Sequence, residues 1–401
     1  MPADPRAARN VRVFGATSFL NDTATEMSYW VLPAFLSILG AGPAQLGIIE
    51  GIAESVASFS KLVSGYLTDR LPRRKPLVVF GYAVANVAKP LLALATSWWH
   101  VLVVRFADRT AKGVRGAPRD VMLAESVPRE RLGASFGLLQ AMDSAGAIAG
   151  PLLALAILSR YGLRGVFWAA AIPGLLSIAV VALGARETGA VALVGQAHVA
   201  RPPSAASSDQ GHSPAHPAAL PSSFYWMLAA ITLFSLGNSS DMFLVLRAQE
   251  AGIAPVYAPL LGLVFNVVYT SASWPAGHLS DRVPRRALAA AGYVVFAVVY
   301  AVFAAAPSRA ALWAMMGGYG LYYALTSPVL RALVADTVAP RVRGRAFGIF
   351  YFVTSIATLL ASLITGFLWD RFGAALPFYL SAGLAVISAV MLVTRNPTPE
   401  T

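Results

Sequence analysis

Gly65 to Arg74 reads GYLTDRLPRR, and 212 residues later Gly277 to Arg286 reads GHLSDRVPRR, with seven of the ten positions identical. The correspondence extends outward from this loop. Gly133, Phe136 and Gly137 match Gly344, Phe347 and Gly348 at a spacing of 211, and SRYG at 159–162 matches DRFG at 370–373. Glu125 falls opposite Asp336 in the same register. Agreement over that length means that the chain is two related halves.

The 401 residues are 57% hydrophobic and 12% charged, with mean hydropathy +0.62. A soluble domain carries about 25% charged residues. The apolar residues fall into runs of about 20, the length that crosses the hydrocarbon core as a helix. Twelve runs are marked near 14–38, 44–69, 76–96, 99–121, 132–158, 163–184, 224–247, 255–280, 287–306, 310–334, 344–369 and 373–394. Lipid satisfies no backbone polar group, and the runs are too long and uniform for barrel strands, so the expectation is an all-α membrane protein with twelve transmembrane helices. Arg6, Arg9 and Arg12 precede an apolar stretch as in a signal peptide, but Asn21, Asp22 and Glu26 interrupt it, so it reads as a retained first span. Residues 1–185 and 223–401 would each form a six-helix bundle, and 186–222, rich in Pro, Ser and Ala, a flexible linker.

The net charge of +12 is unevenly distributed. Counting loops from the N-terminus, 18 basic residues lie on the side of Arg70, Arg73 and Arg74 and four on the other. This bias places both termini in the cytoplasm and the chain in the plasma (inner) membrane, and it argues against a nucleic-acid partner. With no cysteine there is no disulfide framework, thiolate metal site or cysteine nucleophile. GASFG at 133–137 satisfies the G-x-S-x-G hydrolase pattern, but it opens a span without a preceding strand. His212 and His216 lie in the linker beside Pro217 and make a poor metal site. No enzyme activity, metal or cofactor is expected.

The doubled loop resembles the signature G-x-L-[AST]-D-R-x-[GP]-R-[KR] of the major facilitator superfamily, and the resemblance covers all twelve spans. It implies two six-helix bundles related by a pseudo-two-fold axis, with alternating access to a site between them. In that family the loop is a latch that makes and breaks. Gly65 and Gly277 would allow close approach of helices, and Asp69 and Asp281 would meet the N-termini of spans 11 and 5. Arg70, Arg73, Arg74, Arg282, Arg285 and Arg286 would hold the cytoplasmic face, with Glu125 and Asp336 as partners. The same arginines would also serve if they only set topology.

An ionisable group in hydrocarbon costs at least about 2.5–3.5 kcal/mol, which makes each one a functional candidate. Asp22 and Glu26 share a face of span 1, and Glu50, Glu54 and Lys61 follow in span 2. Lys89 is in span 3, Asp143 in span 5, and Arg105, Asp108, Lys112, Arg115 and Arg119 form a stripe along span 4. Arg109, Gly113 and Ala117 resemble the family's span-4 pattern R-x-x-Q-G-x-G-A-A, whose arginine is associated with proton coupling, although Lys112 and Arg115 replace its Gln and Gly. Gly137, Gly146, Gly150 and Pro151 match the antiporter motif G-x8-G-x3-G-P, with its closing glycines replaced by Ala154 and Leu155. Ordinary small-residue packing would give similar spacings.

Asp22, Glu26, Glu54, Asp108, Asp143 and Arg109 are therefore the candidates for proton coupling, although Asp108 would equally form a fixed pair with Lys112. Asn21, Glu50, Lys61, Lys89, Arg105, Lys112, Arg115 and Gln140 are candidates for the N-terminal wall of a substrate cavity. The charge-poor, aromatic C-terminal half offers Asn238, Asp241, Asn266 and Tyr323. Seven cations oppose seven acids in the first six spans, so the charge of the substrate is not legible. The expected function is secondary active transport, a proton-coupled antiport that exports a small organic solute or drug. Proton-coupled uptake of an organic acid or metal chelate, or a non-transporting membrane sensor, are the alternatives. The expected partners are the solute, protons and the lipid bilayer, with the chain a monomer.

Overall fold

The computed structural model describes residues 5–41, 43–188, 219–253, 257–306 and 308–394, so most of the expected linker and both histidines at 212 and 216 lie outside the described residues. The side chains of Glu50 and Glu54 are outside them too. The regular structure of the described residues is all helical, with no strand among them. The chain is a multi-pass membrane protein built as two six-helix bundles.

Spans 1 to 4 are Pro5–Ile38, Pro43–Arg70, Lys75–Leu91 and Trp98–Glu125, and spans 5 and 6 run on within Leu132–Gly184. Only Gly162 leaves the helical conformation there, at φ 64°. Its counterpart, Gly373 at φ 83°, turns the chain between span 11 (Arg343–Phe372) and span 12 (Ala375–Thr394). Both positions are left-handed, where a Cβ is strained and glycine is not. The SRYG and DRFG repeats are thus the same turn used twice. Spans 8, 9 and 10 are Ala258–Ser280, Arg285–Ala305 and Arg309–Thr337.

Span 7 differs from the expected single run over 224–247. It is two helices, Ser222–Ser235 and Met242–Glu250, separated by a break. The intervening stretch contains Gly237, Asn238, Ser239, Ser240 and Asp241, residues whose backbone freedom or short polar side chains compete with helical hydrogen bonding. The freed backbone is held from outside, since Ser240 N donates to Ser362 Oγ at 3.0 Å.

The usual distribution of polarity is inverted. Leu155, Leu183 and Phe367 are 65%, 82% and 65% exposed, whereas Asn21, Asn86, Lys89 and Asp120 are buried. An apolar exterior around a polar interior suits lipid on the outside. By length and composition alone five described segments are apolar enough to cross a membrane, among them Lys75–Leu94, Arg285–Ala305 and Ala375–Thr394. Spans 1, 2 and 4, which carry the charged stripes, do not reach that standard.

Candidate functional site

The halves meet on the face that carries the basic loops. Asp69, at the end of span 2, accepts hydrogen bonds from Gly344 N and Arg345 N, both at 2.7 Å, in the first turn of span 11. Asp281 accepts from Gly133 N and Ala134 N, both at 2.8 Å, in the first turn of span 5. A helix N-terminus presents unpaired N–H groups and a partial positive charge, so each carboxylate is matched to what it meets. The helices come close because small residues line the seam. A Cβ on Gly65 would stand 2.6 Å from Gly348 Cα, and one on Gly137 3.0 Å from Gly277 Cα.

Beside each carboxylate an arginine of the loop pairs with the acid at the end of span 4 or span 10, through the last arginine of the first copy and the one before it in the second. Arg74 Nη1 lies 2.5 Å from Glu125 Oε2, and Arg285 Nη1 lies 3.0 Å from Asp336 Oδ2. Arg285 also reaches Asp281 at 2.9 Å, and Asp336 additionally binds Arg129, whose guanidinium is held above its ordinary value by that hydrogen bond and charge. Arg70, Arg73 and Arg282 are exposed on this face.

One layer deeper, a second set of contacts joins the halves. Tyr351 of span 11 donates its hydroxyl hydrogen to Asp120 of span 4, and Arg331 Nη2 of span 10 donates to Gln140 Oε1 of span 5 at 2.6 Å. These are the same contact twice, because Asp120 corresponds to Arg331 and Gln140 to Tyr351 at the spacing of 211. Phe136 and Phe347, also equivalent, lie with ring centroids 6.2 Å apart. Only Gln140 of the four bonded residues is among the sequence candidates; the 211 register aligns Asp120 with Arg331 and Gln140 with Tyr351, but the aligned residues are chemically unlike and the register by itself marks no contact.

Above this layer lies a cavity of about 530 Å³ between the halves. Asp22, Lys61, Lys112, Arg115, Arg119, Gln140 and Asp143 line it from the N-terminal half, and Asn238, Asn266, Tyr269, Tyr322, Tyr323 and Arg331 from the C-terminal half. Lys61 spans the gap, with Nζ 3.4 Å from Ser355 Oγ and 5.8 Å from the Tyr351 ring centroid. Asp241, at the break in span 7, is held by Tyr319 Oη at 2.7 Å and Tyr323 Oη at 3.4 Å rather than lining the cavity. Asn238 Nδ2 donates to Tyr322 Oη at 3.3 Å, and Asn266 Nδ2 to its own helix at Gly262 O.

The remaining candidates sit inside the N-terminal bundle. Lys89 Nζ and Arg105 Nη1 lie 3.5 and 3.7 Å from Asp108, so these three form a buried cluster away from the cavity. Lys89 also donates to Asn86 Oδ1, while Asn86 Nδ2 donates to Asn21 Oδ1 and Asn21 Nδ2 to Asp22 Oδ1. A polar chain thereby runs from span 3 to the cavity acid. Asp22, Glu26, Asp108, Arg109, Lys112 and Arg115 surround a second space of about 100 Å³. Gly146 and Gly150 pack on span 1 within their own half. Added Cβ atoms would stand 3.1 Å from Asp22 Cβ and 2.7 Å from Glu26 Cβ. Pro151 follows within the same helix.

Similarity to known proteins agrees with this architecture. Residues 14–246 and 228–401 match the family model of the Major Facilitator Superfamily. The chain is 32% identical over 398 residues to an uncharacterised MFS-type transporter of Methanocaldococcus jannaschii, covering 97% of this chain and 96% of the relative. It is 26% identical over 162 residues to the multi-drug resistance efflux pump PmrA of Streptococcus pneumoniae, covering 39% of this chain and 40% of the pump. Among solved structures, the human organic anion transporter MFSD10 aligns with TM-score 0.78 and 15% identity, covering 97% of this chain and all of that one. The Escherichia coli fucose:proton symporter FucP aligns with TM-score 0.76 and 15% identity, covering 98% and 100%. With its doubled loop, its two bundles and a family match running nearly end to end, this chain belongs to the Major Facilitator Superfamily and is a transporter rather than an enzyme.

Proposed function

We propose that the transporter works as a proton-coupled antiporter, exporting a small organic solute from the cytoplasm across the plasma membrane while 1–185 and 223–401 rock as two units around the cavity. The observation that carries this reading is the position of Asp22. It borders both the main cavity and the smaller space shared with Glu26, Arg109 and Lys112, so one carboxylate is reached from the solute's side and from the charged interior. A carboxylate among cations in a medium of low dielectric can exchange its proton against a competing ligand. Asp143, in the same lining, is the second candidate. Similarity of part of the chain to a multidrug efflux pump favours export over uptake. The doubled latch, facing the cytoplasm by the charge bias, would hold the basic side closed and release it when the cavity must open inward.

The test uses everted membrane vesicles loaded with a pH-sensitive dye, an imposed proton gradient, and 1-naphthoate, ethidium and glucose added in turn. Solute-induced proton release from the vesicles that is absent from vesicles lacking the protein supports exchange. Proton movement in the same direction as the solute converts the reading to symport, and transport without any proton movement removes coupling. Asp22→Asn and Asp143→Asn should each abolish proton movement while leaving solute binding.

A further inference from the structure

The cations of the membrane interior divide into those matched by a carboxylate and those that are not. Lys89 and Arg105 share Asp108, and Arg119 Nε lies 3.0 Å from Asp120 Oδ1. Arg115 and Arg331 are as deeply buried, at 6% and 7% exposure, yet neither has a carboxylate within ion-pair distance among the described residues. Arg331 is held by neutral groups, Gln140 Oε1 at 2.6 Å and Ser327 O at 3.3 Å, with its guanidinium carbon 5.5 Å from the Phe136 ring centroid. Arg115 lies 4.3 Å from the Tyr82 ring centroid, and its Nη1 has no hydrogen-bond partner among the described residues. One arginine comes from each half, and both face the 530 Å³ cavity.

Among the described residues that lining carries five cationic side chains against Asp22 and Asp143, with Arg119 paired to Asp120. The fold keeps Asp108 and Asp120 paired with Lys89, Arg105 and Arg119 and leaves the Arg115 and Arg331 guanidiniums at the cavity wall. On the C-terminal side, Tyr322 and Tyr323 of the helix that carries Arg331 join Tyr269 of span 8 in a continuous aromatic surface, with Tyr322 and Tyr323 centroids 4.8 Å apart. Planar guanidinium forks bind carboxylate, sulfonate or phosphate groups, and aromatic faces bind flat apolar bodies. The carboxylate on the aromatic side is Asp241, which stands outside the cavity lining with its Oδ1 accepting from Tyr319 and Tyr323.

We propose that the cargo is a small amphipathic organic anion, its acidic group on Arg331 and Arg115 and its flat body against the tyrosines. This inference rests on the reading of the chain as a solute transporter, but neither on the direction of transport nor on the coupling ion. Since Arg331 holds Gln140 across the seam, an anion that takes Arg331 also loosens one contact of the inner closure, which ties loading to opening.

The probe is 1-naphthoate, compared with neutral 1-naphthamide and cationic 1-naphthylmethylamine, with binding followed by the thermal unfolding of the purified full chain in lipid nanodiscs. Saturable stabilisation by the naphthoate alone is expected, weakened about tenfold or more in apparent affinity by Arg331→Gln and partly restored in Arg331→Lys. Arg115→Gln is the second variant, should Arg331→Gln fail to fold, and it carries the same expectation. Stabilisation by the amine alone, or by none of the three, overturns the proposal, as does naphthoate binding that both glutamine variants leave unchanged. Equal stabilisation by inorganic phosphate would overturn the role of the aromatic wall. Naphthoate binding without proton movement in the vesicles would sustain this inference and end the antiport reading. Proton exchange driven by ethidium alone would do the reverse.

Discussion

The two layers that close the basic face are both built twice, but they differ in how faithfully the halves copy each other. In the outer layer, Asp69 and Asp281 meet helix N-termini with the same two bonds, and Glu125 and Asp336 each hold an arginine of the repeated loop, Arg74 and Arg285, one position apart in the repeat. In the inner layer, the equivalent positions carry opposite charge, Asp120 in one half and Arg331 in the other, bonded to Tyr351 and Gln140. Both seams of the outer layer join a carboxylate to a helix N-terminus, so like residues suffice. The inner layer borders the cavity, where identical charges on both sides would make the wall symmetric and unable to orient a cargo.

The largest disruption should come from steric wedging of the outer seam. Gly65→Leu puts a side chain where even a Cβ would meet Gly344 O at 2.5 Å, and backbone on both sides cannot yield. The chain lacks cysteine, so Ser280→Cys, at a position 2% exposed beside the second seam, gives a clean thiol reporter. Maleimide labelling should be slow in the parent and about tenfold or more faster with Gly65→Leu, the expected shift for a loss of 1.4 kcal/mol or more of closed-state preference. Unchanged labelling would mean that the face opens without parting this seam.

Next in size are the carboxylates. Asp69→Asn and Asp281→Asn each weaken two charge-assisted bonds worth about 1.5–3 kcal/mol apiece, because an amide offers one acceptor and no charge. If the halves are mechanically equivalent, the two variants should accelerate labelling equally. A difference above about threefold would show that one seam dominates the closure. In the inner layer inequality is expected instead. Tyr351→Phe leaves Asp120 with Arg119, whereas Gln140→Leu leaves buried Arg331 with Ser327 O as its remaining hydrogen-bond partner among the described residues and the Phe136 ring beside it. The former should cost about 1 kcal/mol and the latter about 2–3 kcal/mol, read as lowered unfolding temperatures.

This contrast also explains what the sequence disclosed. The outer layer was readable because its residues recur in both halves, so the same ten letters announce span ends, partners and register. The inner layer was hidden because its equivalents are chemically unlike, and nothing in Asp120 or Tyr351 alone marks a contact between halves. The partner of Asp108 was misplaced for a related reason. Spacing along one helix favours Lys112, whereas Lys89 from span 3 and Arg105 one turn earlier occupy the carboxylate. Helix rotation, which decides whether a charge faces a neighbour or the cavity, is a property of packing. The break in span 7 was masked in turn by the apolar residues on either side of it.

The smallest effects should come from the flanking ion pairs, and there the two halves should part slightly. Glu125 is the carboxylate partner of Arg74, both side chains about one-tenth exposed, and Arg74 otherwise reaches Thr68 O. Asp336 shares its work. Arg285 keeps Asp281 at 2.9 Å and donates to Arg129 O at 2.7 Å, while Arg129 is 72% exposed and solvated once released. A pair with one solvated member contributes little, about 0–1 kcal/mol, and a half-buried one more. Glu125→Gln should therefore lower the unfolding temperature and speed Ser280→Cys labelling measurably, with Asp336→Asn close to the parent in both. The reverse order would mean that the Arg129–Asp336 pair, which crosses between the halves, matters more to the closure than the buried Arg74–Glu125 pair inside the N-terminal half, and the outer layer would then be no more symmetric than the inner one.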